Sequence, residues 1–284
     1  MGEGQETRVD ALTGEVVVLV GHRQGRPNLP AGACPFCPGG VEAPEPYDVR
    51  WFVNRWPPLP DGRAEVILFS PEHEANLGGL EVDKVTRIFS VWAERTTALG
   101  ARPDVDYVLA FENRGPEVGA TISHPHGQIY GLSGVPPVVA RELGAGSCQI
   151  CAEHPTDRAV AENAGWRAWV PYASAWPFGM LLAPLDHLPD LPTARPTFRD
   201  AAMLLTDCLS RLDRLFAGPM PYMLWWHQRP TDGNTWPTAH LHAHVAPLYR
   251  APSTPRFVAA GELGSGVYFN PVAPDAAAAL LREA

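Results

Sequence analysis

Two histidine-rich stretches, His124-Pro125-His126-Gly127-Gln128 and His240-Leu241-His242-Ala243-His244, organise this sequence. Each is preceded by a CxxC pair and a lone histidine, and these residues are Cys34, Cys37 and His73 in the first half and Cys148, Cys151 and His187 in the second. The lone histidine follows the second cysteine by 36 residues in both halves. The His-x-His pair then follows after 51 residues in one half and 53 in the other. Motifs repeated at matched spacing indicate an internal duplication.

The segments between the motifs repeat one order of predicted elements. In the first half, apolar patterns predict a strand over 66–69, a helix over 81–100 and a strand over 107–111. In the second half, they predict a strand over 180–184, a helix over 197–217 and a strand over 222–226. Two further segments, 50–57 and 169–177, end at Trp-Pro and are also predicted as strands. The expected fold class is α+β, with two duplicated units that each contain an antiparallel sheet and one long helix.

The length of the chain suits two such units. We predict the boundary in the stretch 131–147, which contains several Gly and Pro residues. This gives an N-terminal unit of residues 1–140, with the first His-x-His pair, and a C-terminal unit of residues 141–284. With 45% hydrophobic residues in 284, the chain can bury a sizeable core.

Charge and hydropathy exclude several classes of protein. The net charge is −9 and no basic run is present, which argues against a nucleic-acid-binding protein that neutralises phosphates. The first residues have no apolar core, so no signal peptide is expected. No stretch approaches the roughly 18 apolar residues of a membrane-spanning helix. We therefore expect a cytoplasmic enzyme with no membrane partner.

The repeated cysteine and histidine sets have the composition of zinc sites. Zinc binds four ligands in a tetrahedron and accepts Cys thiolates and His imidazoles. The predicted ligand sets are Cys34, Cys37, His73 and His124 in the first half, and Cys148, Cys151, His187 and His240 in the second. Four protein ligands leave no open position for water, so both sites are predicted to be structural.

Other interpretations of these residues remain open at this point. The cysteines could be reduced core residues, with the histidines as loop or strand residues. A redox CxxC is less favoured, because neither pair lies in a thioredoxin-like βαβ context. His154 could replace His187 as a ligand, although only His187 matches His73 in the repeat. The fifth cysteine, Cys208, belongs to neither set.

The second histidine of the first stretch is the candidate nucleophile. Residues two apart on an extended segment point the same way, so one histidine can bind metal while His126 faces a substrate. A neutral imidazole can attack phosphorus and form a covalent intermediate. Gln128 could stabilise the transferred group, and small residues over 112–121 could cradle a diphosphate with backbone N–H groups. The alternative is that His126 is an ordinary hydrogen-bonded strand histidine.

The residues around this motif resemble a known family. The segment 111–130, FENRGPEVGATISHPHGQIY, is similar to the active-site signature of galactose-1-phosphate uridylyltransferases. That family is a branch of the histidine-triad superfamily with two fused triad units, and the resemblance extends over nearly the whole chain. It implies duplicated histidine-triad-like units and a ping-pong transfer of UMP between UDP-glucose and galactose 1-phosphate through a uridylyl-histidine. It also implies a homodimer that acts on a nucleotide sugar and a sugar 1-phosphate.

The resemblance assigns roles to individual residues. His126 would be the nucleophile, and Gln128 would steady the phosphoryl oxygens. The residues implied to bind the nucleotide and its phosphates are Arg23, Arg26, Asn54, Asn113 and Thr121. The two arginines would lie near the nucleotide, and the partner subunit of a dimer could supply them. Asn113 would also face the sugar, together with Arg256 and Glu262.

In the second half, the resemblance leaves the metal site open and the sugar side departs from the family pattern. Some members bind iron there through a Glu and three His, which match Glu142, His227, His242 and His244 in this chain. The intact pair Cys148/Cys151 favours zinc instead, but the two sets share no ligand. Many members carry Lys where Arg256 stands, and Arg is a rigid fork rather than a point charge. This exchange bears on which sugar phosphate is accepted.

Several functions therefore compete. The first is a hexose-1-phosphate uridylyltransferase. The second keeps the covalent histidine but uses another acceptor or base, as in a nucleotide-sugar phosphorylase or an adenylyltransferase of the same family. A hydrolase that discharges the intermediate to water is a third. A zinc-stabilised scaffold without activity is a fourth, and the intact HPHGQ motif argues against it.

Overall fold

The structure is a computed structural model that describes residues 5–25 and 33–284. The N-terminal hairpin consists of β1 (Gln5–Val9) and β2 (Val16–Val20), followed by a 3-10 turn over Gly21–Gly25. The first half continues with β3 (Arg50–Val53), β4 (Ala64–Leu68), α1 (Val82–Gly100), β5 (Tyr107–Arg114) and β6 (His126–Leu132). Two short helices, α2 (Pro137–Leu143) and α3 (Gln149–Ala152), connect it to the second half.

The second half repeats this order with one additional strand. It contains β7 (Ala159–Glu162), β8 (Trp166–Trp169), β9 (Met180–Pro184), α4 (Phe198–Leu215), β10 (Tyr222–His227) and β11 (His242–Pro247). The chain ends with the small hairpin β12 (Tyr249–Ala251) and β13 (Thr254–Pro255), and with helices α5 (Ala260–Ser265) and α6 (Pro274–Glu283). Three further 3-10 turns lie at Leu77–Gly79, Pro116–Val118 and Arg195–Thr197.

A single nine-stranded antiparallel sheet runs through both halves. Its strand order is β3-β4-β6-β5-β10-β11-β9-β8-β7. Read outward from the β5–β10 pair, the first half contributes β5-β6-β4-β3 and the second contributes β10-β11-β9-β8, which is the same order of equivalent strands. The predicted α+β fold with duplicated antiparallel units is therefore confirmed. The division at residues 140 and 141 remains a prediction.

One hydrophobic core joins the two halves on the helix side of the sheet. Helices α1 and α4 pack against each other, and Phe89 and Trp92 from α1 meet Trp226 from β10 with ring centroids 5.2 and 5.9 Å apart. A smaller buried cluster lies elsewhere in the first half and consists of Phe36, Ala43, Val66 and Leu68. The large core holds the helices against the sheet, and the smaller cluster packs against the first CxxC turn at Cys34.

The two strands predicted to end at Trp-Pro differ from the observed ones. Strand β3 ends at Val53, before Asn54. The prediction of a strand over 169–177 is wrong, because β8 spans Trp166–Trp169 and the chain then leaves the sheet. Pro171 has no N–H to donate to a strand ladder, which explains this early end. The sequence patterns also missed the N-terminal hairpin, β7 and α6. Within the described residues, no helix is long and apolar enough to span a membrane.

Candidate active site and metal centres

The side chains of strand β6 point alternately to the two faces of the sheet, and only one of these faces is buried. Gly127, Ile129 and Gly131 are buried, and Ile129 belongs to the core under the helices. His126 and Gln128 alternate with them and therefore lie on the opposite face of the sheet. Gly127 is required at its position, because a Cβ there would stand 2.7 Å from Phe69 Cζ and 2.9 Å from the Phe111 carbonyl oxygen.

The tautomer of His126 is set by the backbone. Its Nδ1 lies 2.7 Å from the carbonyl oxygen of His124, so Nδ1 carries the proton and donates it. The lone pair of the neutral ring is then on Nε2, which is the nitrogen that can attack phosphorus. Phe36 packs edge-on against the ring, with the centroids 5.2 Å apart. The imidazole therefore has a defined orientation for nucleophilic attack.

Gln128 has its amide orientation fixed by two donors. The Tyr130 hydroxyl donates to Gln128 Oε1 at 3.0 Å, and Asn54 Nδ2 donates to the same oxygen at 3.4 Å. The Nε2 amide group of Gln128 then points the other way and can donate to a phosphoryl oxygen. Asn54 is itself oriented, because its Oδ1 accepts from the Trp56 backbone N–H at 2.8 Å. These contacts place a prealigned donor two residues from the candidate nucleophile.

His126 lies between two cavities. The cavity that we name the apolar cavity has a volume of about 370 Å³ and is lined by Phe36, Val41, Phe52, Asn54, Val66, Thr121, Ile122, His126 and Gln128, among others. The second, named the polar cavity, has a volume of about 520 Å³ and is lined by His73, Glu112, Asn113, Arg114, Glu117, His126 and Tyr249, among others. The first offers flat apolar surfaces to a nucleobase, and the second offers charged and amide groups to a phosphate and a sugar.

Not all predicted binding residues meet at these cavities. Asn54 and Thr121 line the apolar cavity, and Asn113 lines the polar one. Arg23 lies in the 3-10 turn after the N-terminal hairpin and lines neither cavity in the described part of the chain. Arg26 lies outside the described residues.

The two predicted sugar-binding residues pair with each other. Arg256 Nη2 donates to Glu262 Oε1 at 2.5 Å, and both side chains are buried. Neither residue lines the polar or the apolar cavity. Arg256 also packs over the Trp176 ring at 4.7 Å. Within one chain, therefore, this pair lies apart from His126.

Three backbone N–H groups of the loop before the HPHGQ motif, where a diphosphate cradle is predicted, donate within the loop itself. Gly115 and Gly119 have φ values of 99° and 91°, which favour glycine. The N–H groups of Val118 and Ala120 donate back to the Gly115 carbonyl oxygen, and that of Gly119 donates to Pro116. Because these three donors are used within the turn, they are not directed at a diphosphate.

The first predicted metal set is assembled. Ligand atoms of Cys34, Cys37, His73 and His124 all lie within 4.8 Å of one another. His124 Nε2 lies 2.7 Å from the Ser70 carbonyl oxygen and donates to it, which leaves Nδ1 facing the Cys37 sulfur at 3.7 Å. Burial lowers the pKa of His124, so its ring is neutral as a ligand must be. Two thiolates and two neutral imidazoles in this arrangement fit a tetrahedral metal ion.

The second half assembles two ligand sets instead of one. The predicted set Cys148, Cys151, His187 and His240 comes together, and so does the alternative set Glu142, His227, His242 and His244. His240 Nε2 donates to the Pro184 carbonyl oxygen at 3.0 Å, which repeats the contact of His124. His154 is not part of either set. The two alternatives from the sequence are thus both present in the folded chain.

The Glu/His₃ set has the features of a metal centre. His242 Nδ1 donates to the His240 carbonyl oxygen at 2.8 Å, which leaves Nε2 toward Glu142 at 3.7 Å. Burial lowers the pKa of His242 to about 4 and places that of His244 well below its usual value. His244 Nε2 is buried and has no hydrogen-bond partner in the described residues. A buried, neutral ring nitrogen without a partner fits a metal ligand.

Two contributors to the site were given no role from the sequence. Tyr47 places its hydroxyl 2.8 Å from His124 Nε2 and donates to the Phe36 carbonyl oxygen at 2.7 Å. Glu112 is buried, lines the polar cavity and accepts from the Tyr222 hydroxyl at 2.8 Å. Tyr47 lies in a loop with no local pattern. Glu112 was visible only as one of several residues before the motif.

Comparison with known proteins agrees with this geometry. Residues 57–136 match the N-terminal domain model of galactose-1-phosphate uridyl transferase, and residues 142–261 match its C-terminal domain model. The chain belongs to the galactose-1-phosphate uridyl transferase family. A family member from Thermotoga maritima, named galactose-1-phosphate uridylyltransferase, is 30% identical, and the alignment covers 98% of each chain.

Further relatives bear on fold and acceptor. A solved uridylyltransferase structure superposes with a TM-score of 0.88 at 31% identity and covers 98% of both chains. A relative from Arabidopsis thaliana named ADP-glucose phosphorylase is 25% identical over 99% of this chain and 93% of its own length. Relatives of this chain are therefore named for different nucleotides and different reactions.

Proposed function

We propose that this protein transfers UMP between UDP-glucose and galactose 1-phosphate, or a closely related sugar 1-phosphate, through a covalent uridylyl-His126. The observation that carries this proposal is the position of His126 between an apolar and a polar cavity, with Nδ1 held by a backbone carbonyl. Family membership supports the same chemistry.

The transfer consists of two displacements at the same phosphorus. His126 Nε2 attacks the α-phosphorus of the nucleotide sugar, the P–O bond to the second phosphate breaks, and sugar 1-phosphate leaves. A phosphate oxygen of the second sugar 1-phosphate then attacks the same phosphorus, and the P–N bond breaks. The Gln128 amide donates to the phosphoryl oxygens, where charge accumulates in both steps.

The shapes of the two cavities support this assignment of the substrate. The base would lie against Phe36, Phe52 and Val66, with Asn54 beside it, and Thr121 would contact a phosphate at the boundary. The sugar phosphate would occupy the polar cavity near Asn113 and Arg114. The molecule that accepts UMP from His126 must then fit this cavity, which favours a sugar phosphate over water.

We further propose a homodimer in which the partner completes the sugar side of the polar cavity. Arg256 and Glu262 lie away from His126 of the same chain. Exposed apolar side chains surround that pair, since Phe257 is 75% and Leu263 74% exposed. Arg23 and Arg26 would approach the nucleotide from the partner in the same way. Sedimentation of the purified protein as a monomer at all concentrations would contradict this arrangement.

For the metals, we propose zinc in both Cys₂His₂ sets and iron in the Glu/His₃ set. Thiolate sets suit zinc, and imidazole with carboxylate suits iron. The zinc ions would be structural, because protein ligands fill all four positions. Elemental analysis should find three metal equivalents per chain. His244→Ala should remove one equivalent and Cys148→Ser a different one, whereas loss of the same metal in both variants would contradict separate sites.

The function is tested by intact-protein mass spectrometry after the enzyme is mixed with UDP-glucose alone. We expect a gain of one UMP that is lost when galactose 1-phosphate is added, with formation of UDP-galactose. His126→Ala should show no adduct and retain its metal content. An adduct only with ADP-glucose, or one discharged only by inorganic phosphate, would favour the phosphorylase alternative. Discharge by water alone would favour a hydrolase.

A further inference from the structure

Glu112 occupies an unusual position for a carboxylate. It stands near the end of β5 and pairs with Gly127, so its side chain lies on the helix face of the sheet. The polar cavity at this end of the sheet is lined by both Glu112 and the candidate nucleophile His126. The exposed fraction of Glu112 is 4%, yet it is one of the side chains that line the polar cavity. A carboxylate is rarely buried unless it is paired or functional. The contacts of Glu112 decide between these two possibilities.

The pairing of Glu112 is incomplete. The Tyr222 hydroxyl donates to Oε2 at 2.8 Å, while Oε1 has no hydrogen-bond partner among residues 5–25 and 33–284. No ion pair to Glu112 is present in that part of the chain. The nearest cation, Arg114, is committed to Asp213 of α4, with Nη1 at 2.8 and 3.0 Å from the two carboxylate oxygens.

We propose that Glu112 binds the sugar-bearing phosphate of the substrate in its neutral form, by donating a hydrogen bond from Oε1 to a phosphate oxygen. Because Tyr222 donates to Oε2, the acid proton lies on Oε1, the oxygen without a protein partner. An ionised Glu112 would instead repel the phosphate in the same cavity. This inference rests on the proposed function, since it assigns the polar cavity to the sugar phosphate.

The surroundings of Glu112 favour the neutral form near neutral pH. Burial raises the pKa of Glu112 to about 7, against smaller opposing effects of the Tyr222 hydrogen bond and of Arg114. The titratable or charged groups around it are Arg114 on β5, Tyr222 on β10 and Asp213 on α4, with His73, Glu74, Glu117 and His126 lining the same cavity. The pair Arg114–Asp213 is neutral overall, so no net positive charge stabilises an ionised Glu112.

The test uses binding of UDP-glucose to the full chain carrying His126→Ala, measured by calorimetry from pH 6 to pH 8. This background removes the imidazole of His126 and with it the reaction, and UDP-glucose itself does not titrate in this range. The dissociation constant should rise about tenfold between pH 6 and pH 8, as protonated Glu112 is lost. Glu162→Gln, on the distant edge strand β7, serves as the control and should show the same rise.

Two substitutions separate a binding role from a structural one. Glu112→Gln keeps an N–H donor that does not ionise, so its dissociation constant should stay within about threefold of the pH 6 value at every pH. Glu112→Ala should bind about tenfold or more weakly already at pH 6, because a hydrogen bond to a charged phosphate is lost.

Tyr222→Phe removes a contact that lowers the pKa of Glu112. In that variant, the rise should move to higher pH.

The outcomes distinguish this inference from the proposed function. Parallel pH profiles for Glu112 and Glu112→Gln in the same background would overturn the role of Glu112 and leave the uridylyl transfer intact. Equal weakening by Gln and Ala at pH 6 would do the same. Absence of UDP-glucose binding at every pH, together with no UMP adduct on the wild-type chain, would overturn the proposed function and the inference with it.

Discussion

Three equivalent positions of the two histidine-rich stretches have different surroundings in the two halves. The first, His124 and His240, each contribute to a Cys₂His₂ set and donate Nε2–H to a backbone carbonyl. At the second position, His126 and His242 each donate Nδ1–H to the carbonyl oxygen of the residue two positions earlier. In both rings the lone pair is therefore on Nε2. At the third position, Gln128 is replaced by His244.

This comparison shows how the position equivalent to the candidate nucleophile comes to lie in a potential metal-ligand set. His242 has the orientation of His126, but His244, His227 and Glu142 converge on it. His227 of β10 pairs with His242 of β11. In the first half, the equivalent place is the end of β5 at Glu112 and Asn113. An imidazole surrounded by three further potential ligands is suited to bind a metal ion rather than to attack a substrate. The sequence contains both patterns, but only the folded register shows that they are equivalent.

The buried carboxyl of Glu112 gives a prediction about stability and pH. Its pKa is raised from 4.5 to about 7 in the folded chain, so the folded state binds more protons than the unfolded state between these values. Stability relative to Glu112→Gln should therefore fall as pH rises from about 4.5 to 7 and stay level above, by a total on the order of 3 kcal/mol. Urea unfolding at pH 5 and pH 8 measures this. An equal difference at both pH values would show that Glu112 is not titrating in that range.

At the scale of elements, the first ligand set links parts of the chain that are far apart in sequence. It joins the CxxC turn, the loop after β4 and the residue two before β6, so one metal ion bound there would fix three segments around the candidate nucleophile. Because His126 donates to the carbonyl of the ligand His124, the orientation of the nucleophile depends on that cross-link. A metal bound by this set would therefore act on the orientation of His126 through the backbone.

Removing a thiolate tests this link. Cys34→Ser should lower zinc by one equivalent per chain and reduce the free energy of unfolding by several kcal/mol, because the binding energy of a structural zinc contributes to folding. Elemental analysis and urea unfolding are the measurements. Cys208→Ala is the matched control, since Cys208 is buried in α4 and belongs to no ligand set. A full metal content in Cys34→Ser would exclude this residue as a ligand.

The close approach of β6 to β5 gives a second prediction at this scale. In Gly127→Ala, the new Cβ would stand 2.9 Å from a backbone oxygen, which cannot move as a side chain can. We expect a loss of about 1–3 kcal/mol in stability and a marked decrease in transfer rate as His126 shifts. Gly134→Ala is the control, because no atom lies within 4 Å of its Cβ. Wild-type activity and stability in Gly127→Ala would show that the strand adjusts freely.

How far the sequence predicted these elements depends on the strength of each local pattern. Both long helices begin and end within two residues of the prediction, because their apolar faces repeat over four or more turns. The segment 169–177 was misplaced, since Trp-Pro repeats suggested a strand where Pro171 ends one. The roles of Glu112 and Tyr47 could not be predicted, because both depend on contacts with residues far along the chain, Tyr222 and His124.

At the scale of the whole molecule, the two units share more than a linker. Strand β5 pairs with β10 from Tyr222↔Arg114 to Trp225↔Phe111, and helices α1 and α4 pack on the same core. Arg114 also forms an ion pair with Asp213 across the two halves. Much of the apolar surface of each unit is therefore covered by the other.

This shared core predicts that the halves unfold together. Calorimetry of the metal-loaded protein should give one transition, and Cys34→Ser should lower its midpoint without splitting it. Hydrogen exchange in mild urea provides the local measurement, because β4 in the first half and β9 in the second should lose protection at the same denaturant concentration. If each unit were held mainly by its own metal ions, Cys34→Ser would instead release β4 while β9 stayed protected. That result would mean that the ligand sets, rather than the β5–β10 pair and the α1–α4 contact, define the folding units.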